Sequence, residues 1–235
     1  MKKITLVPAL TAALLIALTA LVLSGEEKSK EPAKTTDVQT EATAVMPANP
    51  EISAPPAVAI NQPAPNFTLT GADGKKYSLA DFAGKWVVLE WANFDCPFVK
   101  KHYGSKNMQN LQKEFVGKNV VWLTICSSAP EKQGNYQGDA LTGKIKETGL
   151  NSTAYLVDAD GKVGKAYGAK TTPHMFVVDP KGVLVYAGAI DDRPSTKPED
   201  IEGAVNFVKA ALNSGMKGEV ILISSTPSYG CSVKY

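Results

Sequence analysis

One stretch constrains this chain more than any other: the apolar run Trp86-Val87-Val88-Leu89-Glu90, followed by Trp91-Ala92-Asn93-Phe94-Asp95-Cys96-Pro97 and then a helical pattern. Aliphatic β-branched and aromatic residues in such a run read as a buried strand. Proline suits a first helical position, where its missing N–H costs nothing, so Pro97 places Cys96 at the strand-to-helix turn. The unpaired N–H groups and dipole of a helix start favour an anion there, which biases a cysteine toward the reactive thiolate. Lys100 and Lys101 add positive charge one turn on, while Asp95 pulls the other way. The alternative is a buried cysteine that only packs.

A second buried strand, Asn119 to Ile125, ends in Cys126. A right-handed β-α-β crossover between the two runs brings the ends of parallel strands together and predicts Cys126 on the same edge as Cys96. Between them Met108, Leu111 and Phe115 fall at helical spacing, with a kink or restart at Gly104-Ser105. Upstream, Asn66 to Thr70 and Lys76 to Leu79 read as a hairpin around Asp73-Gly74, with a helical turn after it ending at Gly84. Downstream come a helix over 139–148 stopped by Gly149, an apolar segment at 153–158, and a hairpin of 174–179 with 183–188. Thr196 and Glu199 suggest a capping box for a last helix with Ile201, Val205, Val208 and Leu212 as its stripe and Gly215 as its stop. Val220 to Ile223 reads as an extra strand.

Of the 235 residues 44% are hydrophobic, which is enough for one sizeable core, yet every aromatic residue lies at or after Phe67. Lys2 and Lys3 precede an uncharged apolar run, Ile4 to Leu23. Residues 1–25 are therefore an export signal or a membrane anchor, both of which place the remainder outside the cytoplasm, in the periplasm or on the outer face of the membrane. Residues 26–63, rich in proline, alanine and threonine, read as a mobile linker. The folded domain is expected over 64–235. Without Lys2 and Lys3 the chain carries 23 basic and 23 acidic residues, and Arg193 is its only arginine, so nothing favours a nucleic-acid partner.

The order β-α-β then β-β-α, with a cysteine at the first strand-to-helix turn and Thr172-Pro173 before the last hairpin, resembles the thioredoxin fold over about residues 60 to 215. In Asn66-Phe67 and Lys85 to Leu89 it resembles the redoxin branch, the relatives of alkyl hydroperoxide reductase and thiol-specific antioxidant. The resemblance implies an α/β fold with a central mixed sheet flanked by helices, here with a C-terminal extension. It also implies a cis Pro173 that faces Cys96 and shapes a groove. Two departures matter. Val99 stands where thioredoxins carry a second cysteine, and Leu89, Asn93 and Pro173 stand where peroxiredoxins carry the residues that polarise peroxide.

A lone attacking thiol needs a resolving partner to turn over. Cys231, in the tail Tyr229-Gly230-Cys231-Ser232, is one candidate and matches the C-terminal resolving cysteines of the peroxiredoxin relatives. Cys126 is the rival. The groove is assigned to Trp91, Pro97, Thr172, Pro173 and His174, the last as a stabiliser of the thiolate or a proton donor. His102 reads as a surface or capping residue, and no metal or other cofactor is expected. The chain is thus read as an extracytoplasmic thiol oxidoreductase acting on a protein disulfide or a small peroxide, with a thiol reductant and the inner membrane as partners. The alternative is a binding module with a structural disulfide, presenting Trp91, Phe94, Phe98 and Tyr229 as a contact surface.

Overall fold

A computed structural model describes residues 58–235; the expected N-terminal signal or anchor and most of the expected linker lie outside the described residues. In chain order come β1 (Thr68–Gly71), β2 (Lys76–Ser78), a 3₁₀ turn (Leu79–Phe82), β3 (Val87–Trp91), α1 (Pro97–Gly104), α2 (Asn107–Val116) and β4 (Val121–Cys126). Next are α3 (Gly138–Thr148), β5 (Ala154–Val157), α4 (Lys162–Tyr167), β6 (Thr171–Thr172), β7 (His174–Val178), β8 (Leu184–Gly188), a second 3₁₀ turn (Pro198–Ile201), α5 (Phe207–Met216) and β9 (Cys231–Ser232). Seven strands form one mixed sheet in the order β2-β1-β5-β4-β3-β7-β8, and β6 with β9 forms a separate two-stranded ladder. The fold is the thioredoxin-like one.

The central strands explain the unbroken apolar runs. β3 pairs parallel with β4, Val87 facing Val121 and Trp91 facing Ile125, and antiparallel with β7, Trp91 facing His174. Both faces of these strands are covered, so no alternation with polar residues survives. Val88, Trp122, Met175 and Val177 point into one core with Cys96, Val99, Met108, Leu111, Phe115 and Leu212. Val87, Leu89, Trp91, Leu123, Ile125 and Phe176 point into the other, with Phe67 and Tyr167. Burying side chains of this size contributes about 1.5–3 kcal/mol each, so the two cores together define the domain.

The helix after Cys96 does break as its Gly104-Ser105 pair suggests: α1 ends at Gly104, and Lys106 takes φ +66° before α2 begins. The last helix starts later than the Thr196–Glu199 box predicts. Pro198–Ile201 forms only a 3₁₀ turn, and α5 is capped by Asn206, whose side chain accepts from the Lys209 N–H at 2.8 Å. Gly215 is not its stop but lies within it, where a Cβ would collide with the Trp86 ring; the chain turns at Gly218, φ +73°. Val220 to Ile223 forms no strand. Val220, Leu222 and Ile223 are exposed, Ile221 packs on the Cys96-side core, and the segment leads instead to a short parallel bridge of Ser225 on Ala187, at the free edge of β8. The chain is also tied down before residue 64: Asn61 N–H donates to the Leu184 carbonyl (2.8 Å) and Leu184 N–H to that of Gln62 (3.0 Å).

Candidate active site

Cys96 is the N-cap of α1, with Pro97 at the first helical position, as the sequence predicts. Its N–H donates to the Asn93 carbonyl at 3.0 Å, and its carbonyl accepts from Lys100 N–H at 2.9 Å, which fixes the turn. The side chain is fully buried. Its Sγ lies 3.0 Å from the carbonyl oxygen of Thr172, and the Thr172–Pro173 peptide is cis. Burial pushes the Cys96 thiol up, but hydrogen bonds from Cys231, from Thr172 and from the Val99 backbone outweigh it, and the thiol is held below its ordinary range. The Thr172 hydroxyl is buried and has no hydrogen-bond partner among the described residues.

Cys231 approaches from the C-terminal tail, its Sγ 2.8 Å from that of Cys96, and both thiols are free. The tail reaches this position as a strand. Thr172 pairs with Cys231 and Thr171 with Ser232 in antiparallel register, and Val233 N–H donates to the Lys170 carbonyl at 3.1 Å. Gly230 lies so close to the Thr172 carbonyl that a Cβ there would collide with it, and its φ of +133° favours glycine. Burial and the neighbouring Cys96 push the Cys231 thiol up, opposite to Cys96. In the pair, Cys96 ionises first and Cys231 keeps its proton.

Cys126 does sit at the end of the parallel strand next to that of Cys96, but it makes different contacts. Its Sγ is 3.4 Å from Ser128 Oγ and from the Gly134 carbonyl. Cys126 thus donates weakly to its own loop, whereas Cys231 faces Cys96 Sγ.

Two of the five groove residues belong elsewhere. Trp91 and His174 point into the core on the opposite side of the sheet from Cys96. The Trp91 indole donates to Ser127 Oγ at 2.9 Å and packs on Tyr167 and Phe176. His174 stacks on Phe176, and its Nδ1 accepts from Lys170 N–H at 3.2 Å. Burial, helped by the Lys170 charge, lowers His174 to about 4, so it carries no positive charge with which to stabilise a thiolate at neutral pH. Continuous apolar runs hide which residues share a face, and this is why sequence placed both wrongly. Phe94 is buried too, against Tyr103 and Tyr155; of the expected aromatic surface only Phe98 and Tyr229 meet at the site, with ring centroids 5.8 Å apart.

The charges fall differently as well. Lys101 is buried, its Nζ donating to the Arg193 carbonyl at 2.7 Å, and Asp95 accepts from Tyr136 Oη at 2.7 Å on the α3 side. The Arg193 guanidinium lies half-exposed beside Asp192, at 3.5 Å, and makes no contact with Cys96. His102, expected at the surface, is fully buried and bonded to Tyr229, and burial holds its pKa down at about 4. No group of three His, Cys, Asp or Glu side chains among the described residues is arranged to hold a metal ion.

The sequence also hid a polar network on the Cys96 side of the sheet. The Glu90 carboxylate, fully buried in β3, accepts from Tyr103 Oη (2.8 Å), Gln112 Nε2 (3.0 Å), Trp122 Nε1 (2.8 Å) and Thr124 Oγ1 (3.1 Å). Burial nonetheless pushes its pKa up. A single carboxylate inside an apolar strand run was the signal that could have revealed it.

Comparison with known proteins agrees with this geometry. The sequence profile of the AhpC/TSA family matches residues 60–187. A thioredoxin peroxidase of Fasciola hepatica is 28% identical over 169 residues, covering 68% of this chain and 84% of that protein. The thiol-disulfide oxidoreductase ResA of Bacillus subtilis is 28% identical over 154 residues, covering 65% and 77%. The crystal structure of an uncharacterized conserved protein from Geobacillus kaustophilus superposes with a TM-score of 0.65 at 28% identity, covering 75% of this chain and 92% of that one. Relatives with thiol redox activity place this chain among thiol redox proteins.

Proposed function

The chain belongs to the AhpC/TSA family, and from that premise we propose that it is an extracytoplasmic thiol-disulfide oxidoreductase whose redox centre is the pair Cys96 and Cys231. The observation that carries the reading is the 2.8 Å approach of the two sulfurs, one thiol lowered and the other raised. Cys96 thiolate attacks one sulfur of a substrate disulfide; that S–S bond breaks, a mixed disulfide forms, and the first substrate thiolate leaves and takes up a proton. Cys231 then gives up its proton and attacks Cys96 Sγ, expelling the second substrate thiolate. Two electrons pass from the cysteine pair to the substrate, and an external dithiol restores the pair. Disulfide exchange is favoured over peroxide reduction because Leu89, Asn93 and Pro173 stand where the peroxide-polarising side chains would be, and the Arg193 guanidinium lies beside Asp192. The basic and apolar pattern of residues 1–25, that of an export signal or anchor, supports an activity on the periplasmic side of the membrane.

The reading is tested by adding one equivalent of 2-hydroxyethyl disulfide to the reduced protein and mapping disulfides by non-reducing peptide mass spectrometry. Cys96 and Cys231 should become joined, and Cys231→Ser should stop at a Cys96 mixed disulfide. Joining of Cys126 in their place, or full turnover by Cys96→Ser, would overturn it.

A further inference from the structure

The tail that delivers Cys231 is held far more firmly than a resolving thiol needs. β6 has no partner in the main sheet, so its backbone edge beside cis-Pro173 is satisfied by β9 alone. The tail continues along it to the end: Ala129 N–H donates to the Lys234 carbonyl at 2.8 Å, and Tyr235 Oη donates to the Ala169 carbonyl at 2.8 Å. Upstream, Thr226 Oγ1 accepts from Ala189 N–H at 3.0 Å and is 2.8 Å from Tyr186 Oη. An extended segment therefore fills the site edge where an extended polypeptide would add a strand.

Tyr229 has a receptor of its own. Asn107 Nδ2 lies 2.8 Å from His102 Nδ1; an amide nitrogen only donates, so His102 carries its proton on Nε2. That proton points at Tyr229 Oη, 3.1 Å away, and the tyrosine hydroxyl in turn donates to Asp191 Oδ1 at 2.5 Å. Asp191 is buried, and its second oxygen has no partner. Phe98 covers the ring, and the Lys101 ammonium stands 5.8 Å from its centroid. Tyr229 and Cys231 flank the bend at Gly230 and both pack against the core that holds Cys96, so seating Tyr229 anchors Cys231 beside Cys96.

We propose that residues 225–235 are a built-in substrate strand, and that Tyr229, seated between His102 and Asp191, is the latch that decides whether a polypeptide disulfide reaches Cys96. The proposal rests on the redox pairing above and names its substrate class: a cysteine of an extended polypeptide, which must displace the tail before it can pair with Thr171–Thr172. A compact disulfide needs no strand edge and is not subject to that competition. The chemistry is the exchange already written, with the tail leaving before the first attack and returning for the second. Tyr229 is a positioning and specificity residue; it touches no reacting sulfur.

The test compares reduced wild-type, Tyr229→Phe and Tyr229→Ala chains in single-turnover reactions with insulin and with 2-hydroxyethyl disulfide, alongside hydrogen exchange at the tail amides. Losing one or two buried hydrogen bonds should release the tail enough to speed the first attack on insulin by about tenfold in Tyr229→Ala and by less in Tyr229→Phe. The small disulfide should change by no more than about threefold, and exchange at Cys231 and Val233 should accelerate in the same order. Equal changes with both disulfides, or tail exchange that does not move, would overturn the latch. Hydrogen exchange needs no chemistry, so accelerated exchange with neither disulfide reacting would sink the redox pairing, and the latch with it, and leave Tyr229 only a structural anchor of the tail.

Discussion

Cys126 ends β4 and Cys96 follows the neighbouring parallel β3 at the start of α1, on the same edge of one sheet, yet their surroundings differ. Cys96 caps an eight-residue helix, lies 3.0 Å from the Thr172 carbonyl and faces a second sulfur. Cys126 runs into a loop, and its contacts at 3.4 Å are weak. The strand ends are equivalent; the helix or loop beyond each strand, and the distant segment laid across it, are not. The contacts that hold the Cys96 thiol down come from residues 76 and 135 positions away in sequence.

The contrast is broken most directly by substitution at each cysteine. Cys96→Ser should abolish turnover of 2-hydroxyethyl disulfide, while Cys126→Ala should leave turnover within about twofold and lower stability by about 1 kcal/mol, read from denaturant unfolding. A smaller effect is expected from Gly230→Ala. A side chain there meets the Thr172 carbonyl at a strained φ, a cost of about 1–3 kcal/mol, so the tail should shift and formation of the Cys96–Cys231 disulfide should slow by about tenfold. Cys96 would then resemble Cys126, a strand-end thiol without a partner.

The smallest effect sharpens the comparison by asking whether the buried network matters to the thiol. Glu90 is pushed up in the folded protein, so the stability it contributes is complete below its unfolded value near 4.5 and is lost as pH rises toward its folded value. Glu90→Gln should flatten that decline in unfolding free energy measured against pH. The pH profile of Cys96 alkylation should stay within about 0.3 units, because its shift arises from Cys231, Thr172 and the helix start. The two buried histidines act at the other end of the scale. Both are lowered to about 4, so the stability they contribute is present above pH 6.5 and lost as pH falls toward 4.

Much of the fold could be read from local pattern. The runs at 86–91 and 119–125, the Asp73-Gly74 turn, the helix ending at Gly149 and the last hairpin all appear where residue periodicity and turn chemistry put them. The misses share one cause, which is competition between local signals that only packing can resolve. Thr196 with Glu199 and Asn206 both offer helix caps, and Asn206 wins because the helix it starts buries Val208, Ala211 and Leu212. The six-residue α4 is too short to show a period, and β9, two residues long, has no pattern at all.

Sequence alone placed Cys96 at a strand-to-helix turn. A strand run, a cysteine and a proline at a helix start are local features, and the turn they make is set within a few residues. Only the tertiary structure decided the rest of the site: that Trp91 and His174 face away, that Cys231 rather than Cys126 meets Cys96, and that Tyr229 is seated between His102 and Asp191. Which face of a doubly buried strand a residue takes, and which distant segment covers a sheet edge, are set by the summed packing of the whole domain. No local run of residues carries that sum.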